Sequence, residues 1–395
     1  MFGVMPDAIH PYIFSTGCVI AAVVVYRLKE TYLGNKNNGS FGKIIICILV
    51  VLMLPALSIL EKNIRPETDP TVFKFPGRIE QIAFNRDGTL AAVGGNKTIL
   101  WDINTRKHIV LESPGGANGI AFSPDGRYLA VGRGNLWNGA TPEDSHIDLW
   151  ELESKQMIAW TRSIMRNIKN SAAEAVAFSP DSKYLAASNH DGIVEIWDIE
   201  NNVLAMTLQE GALKKKLTNG RQTDSVSALT YSSDGKSLAL GGINDLLSIW
   251  DTKTGQLIKV LSTESGHIKG LSYSPNSQLL ASAINIHIPQ VNNHGSTEKG
   301  EVQFWDVQTG KQVKILTWEK ASRIQSLAFS PDGKYLVTGE DEPSIRLWDV
   351  ESGQTIRNDF DHPDSRRMQS VAFSPDGNSV AAASGQYIKI WKVDK

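Results

Sequence analysis

The chain has 395 residues, enough to bury a large core, and its formal net charge of −2 lacks the strongly basic balance of a nucleic-acid binder. Its two cysteines, Cys18 and Cys47, both lie in apolar stretches near the start, so no disulfide staples the rest of the chain. Apolar and charged fractions, 41% and 21%, fit a globular protein.

The first sixty residues carry two apolar runs, PYIFSTGCVIAAVVVY at 11–26 and IIICILVVLMLPALSIL at 44–60. With flanking residues such as Ile9, each is long enough to cross a bilayer core. Residues 1–10 hold no Lys or Arg, against a signal peptide, and residues 44–54 show no polar face, against a surface-packed core segment. The reading is a transmembrane helical hairpin over 1–60, with spans at about 9–26 and 44–60. The loop between the spans carries Arg27, Lys29, Lys36 and Lys43 against Glu30, which favours a cytoplasmic loop and places everything after residue 60 on the outer side. Lys62 and Arg65 leave the cytoplasmic side as the alternative. Residues 61–70, EKNIRPETDP, read as a polar linker.

Beyond residue 70 one pattern returns seven times. An apolar strand ends at an aromatic, a tight turn follows, and a later strand ends in Trp. The aromatics are Phe84, Phe122, Phe178, Tyr231, Tyr273, Phe329 and Phe373; the tryptophans are Trp101, Trp150, Trp197, Trp250, Trp305, Trp348 and Trp391. The turn spells Ser-Pro-Asp-Gly at 123–126, 330–333 and 374–377. Ser opens it, Pro presets φ, Asp is tolerated third, and Gly takes the left-handed fourth position. Ser182 and Ser277 stand where that Gly is wanted, at a cost of about 1 kcal/mol each if φ is positive there.

A radially repeated sheet with one aromatic stripe per unit buries a continuous core between neighbours. The pattern resembles the WD-repeat family of β-propellers: Trp-Asp recurs at 101–102, 197–198, 250–251, 305–306 and 348–349. The resemblance implies an all-β, seven-bladed propeller of four-stranded antiparallel blades over 71–395. The family's His, Ser/Thr, Asp and Trp tetrad keeps its Asp clearly only at Asp191, with Asn96, Asn244 or Glu342 elsewhere, and His267 is misplaced for it. The seventh copy stops before a fourth strand, so residues 71–75, TVFKF, are expected to close the last blade. Alternating strand direction then puts the Ser-Pro-Asp-Gly turns on a bottom face and the long loops on a top face. A ten-residue linker reaches at most about 35 Å, which turns the bottom toward the bilayer and the top away.

The long insertions, 132–146 and 284–300, fall on the top. Interaction candidates there are Trp137, Arg162, Arg166, Lys214, Lys215, Lys216, Arg221, Arg366 and Arg367, because exposed aromatic and Arg residues anchor interfaces and long loops carry binding. His287 and His294 share a loop, but converging ligands for a metal are missing. Gly132-Arg133-Gly134 begins a phosphate-loop pattern and fails it at Trp137. The innermost strands read as mostly small and apolar, with Glu80 and Glu174 as their only charges. No catalytic, cofactor or metal site is read from the sequence, and no nucleic acid is expected.

The function this supports is a non-enzymatic, membrane-anchored WD-repeat scaffold in the bacterial cell membrane, its propeller on the periplasmic or outer side, binding protein partners through the membrane-distal top face. The alternatives are a small-ligand receptor or enzyme using the central channel, or a binder of cell-wall or anionic polymers.

Overall fold

Period-2 apolar patterning and the recurrent turns produce seven four-stranded antiparallel sheets. The computed structural model describes residues 69, 71–94, 97–112, 116–134, 146–154, 156–161, 173–189, 192–209, 225–242, 246–262, 266–289, 296–318, 322–341, 344–364 and 366–393. The two apolar runs of the expected hairpin lie outside them, and among the described residues no helix is long and apolar enough to cross a membrane.

Blade three illustrates the unit: Ala173–Phe178 is innermost, followed outward by Tyr184–Asn189, Ile193–Asp198 and Val203–Gln209. Six blades use four consecutive strands. The seventh combines Met368–Phe373, Ser379–Ser384 and Tyr387–Lys392 with Val72–Lys74 as its outer strand. Register pairs Val72 with Lys389, Phe73 with Ile388 and Lys74 with Tyr387. Phe73 and Phe75 are buried and pack on Trp101 of blade one.

The core lies between blades. All seven repeat tryptophans are buried, and each packs against the preceding blade: Trp197 with Leu149, Trp250 with Ile196, Trp391 with Leu347. The indole N–H of Trp150 meets no partner among the described residues, and those of five others find different ones. Trp305 donates to Ser282 at 3.0 Å and Trp348 to Thr338 at 3.1 Å, so the hydroxyl-to-indole half of the family tetrad survives in blades five and six. Trp197, Trp250 and Trp391 use Glu195, Ser248 and Asp361 instead.

The bottom turns behave as their sequence dictates. Ser179 donates to Asp181 at 2.6 Å, and the Tyr184 amide donates back to the Ser179 hydroxyl at 2.9 Å. These aspartates are turn chemistry; the hydrogen bonds from Ser232 and the Lys236 amide hold the Asp234 carboxyl below its ordinary range. Ser182 and Ser277 do take positive φ, 62° and 58°. Each then uses its hydroxyl across the blade boundary, accepting from the Asp125 amide at 3.0 Å and the Asp234 amide at 3.3 Å.

Edge protection is built in. In blades two to six the pairing of the third and outer strands slips just before the repeat Trp, leaving an extra residue in the outer strand. Such bulges twist an exposed edge away from pairing with other chains.

Candidate interaction face

The top of the central channel is ringed by one residue from each blade, four positions before the stripe aromatic: Glu80, Asn118, Glu174, Ser227, Lys269, Gln325 and Gln369. All seven are polar. The next residue of the innermost strand is small in blades three to seven, as at Ala175, Ala228, Gly270, Ser326 and Ser370, and is Gln81 in blade one. In blades two to seven the innermost strand slips register across the ring position, for example between Ile268 and Gly270 around Lys269, and between Met368 and Ser370 around Gln369. A bulge re-aims one side chain out of the pleat. Here it releases the polar residue into a channel mouth of about 300 Å³.

This corrects the sequence reading of the innermost strands. Lys269 is a third charge in the ring, and the amides of Asn118, Gln325 and Gln369 make the mouth polar throughout. The signal is visible once the seven copies are set in register on their aromatics.

Beside the ring, blades six, seven and one gather basic residues around two carboxylates. Asp341 accepts from Arg323 Nε at 2.6 Å and Gln325 Nε2 at 2.6 Å, and pairs with Arg367 Nε at 3.2 Å. Arg78 lies 3.4 Å from Glu80. Burial pushes the Glu80 carboxyl up, with Arg78 and Arg367 opposing. Arg366 Nε pairs with buried Asp364 at 3.0 Å and remains 64% exposed. Arg366 and Arg367 therefore share one charged rim with Arg78 and Arg323, which the sequence reading did not single out. Trp137, Arg162, Arg166, Lys214, Lys215, Lys216 and Arg221 lie outside the described residues.

Two further clusters support this face. Trp318, half-buried, packs on Trp348 at 5.3 Å and donates to Glu340 at 3.2 Å, while Arg346 lies over its ring and pairs with Glu340 at 2.7 Å. Arg133, fully buried, binds Asp148 at 2.8 Å and reaches Thr98 of blade one. The Gly132-Arg133-Gly134 stretch is thus a structural ion pair at the base of the 132–146 insertion. Among the described residues no group of His, Cys, Asp and Glu could hold a metal ion. His287 and His294 have no described side-chain placement.

Comparison with known proteins agrees with this fold. Residues 167–198, 310–349 and 353–392 match the family described as WD domain, G-beta repeat. Protein groucho of Drosophila melanogaster is 27% identical over 237 residues, covering 53% of this chain and 30% of that protein. WD repeat-containing protein SL1-17 of Schistosoma mansoni is 30% identical over 172 residues, covering 43% and 46%. The chain thus spans less than half the length of both relatives. Among solved structures, a chain in the crystal structure of a mitotic checkpoint complex superposes with a TM-score of 0.65 at 21% identity, over 82% of this chain and 91% of that one. At that identity the likeness concerns the fold alone.

Proposed function

We propose that this seven-bladed chain of WD40 repeats is a non-enzymatic scaffold that binds protein partners through its top face, on the rim formed by blades six, seven and one. The observation that carries the reading is Asp341, which fixes Arg323, Arg367 and Gln325 beside the polar ring. Guanidinium groups held in place by a shared carboxylate lose little further freedom on binding, and Arg is favoured at interface centres. The exposed guanidinium of Arg366 extends the same rim. A chain of similar fold sits in a multi-protein complex, in keeping with such a role. The apolar runs at 11–26 and 44–60 support anchoring of the scaffold to a membrane, and the basic loop between them favours the propeller on the outer side, which in a bacterium is the periplasm or exterior.

The test is capture of partners from solubilised membranes by the full chain. Reversal of Arg366 and Arg367 to Glu, and separately Trp137→Ala and reversal of Lys214–Lys216, should each reduce recovery of a specific protein. Loss of anionic polymer binding alone would favour the polymer-binding alternative. Protease added to intact cells should degrade the propeller if it lies outside, and spare it if it faces the cytoplasm.

A further inference from the structure

Away from the top rim, the grooves between successive blades are filled differently by the chain's own side chains. Where blade four meets blade five, Lys259 lies against Gly310, and its Nζ donates to the carbonyl of Gln308 at 2.7 Å and reaches that of Val307 at 3.5 Å. Where blade five meets blade six, Lys314 lies against Gly353 and donates to Glu351 at 2.6 Å and Val350 at 2.7 Å. Where blade six meets blade seven, Arg357 reaches the Lys392 carbonyl at 3.4 Å. Three consecutive grooves are therefore bridged by a basic side chain on an alkyl stem.

The groove between blades three and four breaks the series. Met206 lies against Gly255, as Lys259 lies against Gly310. A thioether donates no hydrogen bond. The carbonyls of Thr252 and Lys253, the counterparts of Val307 and Gln308, accept no hydrogen bond from any described residue. Ala205 takes the extra-residue position of the outer strand, where the next three blades carry Ile258, Val313 and Ile356, so the wall is low. A cavity of about 660 Å³ opens here, lined among others by Asp181, Tyr184, Met206, Tyr231, Thr252 and Lys253.

Its floor holds a second unmet demand. Tyr231 is 8% exposed, and its hydroxyl has no hydrogen-bond partner among the described residues. One blade further on, the Tyr273 hydroxyl meets the Ser237 hydroxyl at 3.2 Å, and Tyr184 stands where that serine would be. Burial keeps the Tyr231 phenol protonated, with lone pairs still available to a donor.

We propose that this groove is a binding site for the alkylammonium group of a lysine side chain from another polypeptide. The molecule displays the occupant's chemistry in its own neighbouring grooves. A methylene stem lies along Met206 and Ile196, and the ammonium takes the carbonyls of Thr252 and Lys253, as Lys259 and Lys314 do next door. Asp251 supplies the nearby negative charge. Its counterparts Asp306 and Asp349 are held low first by turn hydrogen bonds from Thr309 and Ser352, and further by Lys259 and Lys314. The Asp181 carboxylate, held in its turn by Ser179 and the Lys183 amide through one oxygen, lies on the rim and adds to the attraction. This site is independent of the top-face reading.

The test uses the full chain labelled on its methionine methyl groups, with Nα-acetyl-lysine N-methylamide as probe and its Nε-acetylated form as control. The lysine probe should shift the Met206 methyl resonance saturably, and the acetylated form should bind about tenfold more weakly or not at all. Met206→Lys should supply the missing ammonium from within, abolish probe binding in ligand-observed saturation transfer and raise the melting temperature. Met206→Leu, a packing control, should keep probe binding. Lys253→Gln, which installs the residue found at Gln308, should tighten it. Equal binding of both probes would show an apolar cavity without ammonium recognition and overturn the proposal. So would no shift at Met206, or a Met206→Lys protein that still binds the probe.

Discussion

The Ser182 hydroxyl accepts a hydrogen bond from the Asp125 amide at 3.0 Å, tying the bottom turn of blade three to that of blade two. Ser182 holds φ at 62°, where a β-carbon is strained. The residue that breaks the turn rule is thus the one that joins two blades, and the bond offsets the strain.

This sets up an unusual substitution order. Ser182→Gly removes both strain and bond and should change stability by less than about 0.5 kcal/mol. Ser182→Ala keeps the strain, loses the bond and should cost about 1–2 kcal/mol. Urea unfolding of the two variants measures the difference. Ser277, with its longer 3.3 Å bond, should show the same order with a smaller gap.

Arg133 and Asp148 are both fully buried at 2.8 Å, and His146 Nε2 lies 2.9 Å from the other Asp148 oxygen. Asp148→Leu strands a buried guanidinium and should destabilise the propeller by about 3–5 kcal/mol. Replacing Arg133 and Asp148 together with Leu should recover much of that loss. Thermal melts of the single and double variants decide the matter, and equal losses would contradict it.

Burial lowers the His362 imidazole to about 4, opposed by hydrogen bonds with Asp364 and Ala382 and by the Asp364 charge, and aided by Lys389. The unfolded chain binds the proton at the ordinary 6.5, so it holds more protons than the folded state between pH 4 and 6.5. Stability should therefore be complete above pH 6.5 and fall as pH drops toward 4, by about 3 kcal/mol from this group. The difference between wild type and His362→Asn, followed by denaturant unfolding from pH 7 to 4, should narrow across that window.

Phe73 is 2% exposed, meets Trp101 edge-on at 5.9 Å and lies under Arg106, whose guanidinium also holds the Val72 carbonyl at 2.7 Å. Phe73→Ala should cost about 3–5 kcal/mol. Because Val72–Lys74 pairs with Tyr387–Lys392, hydrogen exchange should speed first at Ile388 and Ile390, whose amides border the loosened strand. Uniform acceleration in all blades would instead indicate that the strand is no local latch.

The stripe aromatics, the repeat tryptophans and the turn spelling make the seven blades legible, because each reports a local rule: a buried stripe, a left-handed fourth turn residue, a strand of period two. The polar ring is harder to read. Lys269 and Gln369 sit within innermost strands whose alternation assigns them no special direction, and only the bulge aims them at the channel. Asp341 is harder still, since its partners Arg323 and Gln325 belong to a strand's start and Arg367 to the next blade. Likewise Met206 is an ordinary outer-strand residue until Lys259 and Lys314 show what its neighbours do in the same place.

The top-face account is tested most directly by hydroxyl-radical footprinting of the full chain with and without its captured partner. Protection should concentrate on half-buried Trp318 and on Arg323, Arg366 and Arg367, while the bottom turns at Pro180, Pro331 and Pro375 stay unchanged. Protection of those bottom turns with none at the Asp341 rim would contradict it.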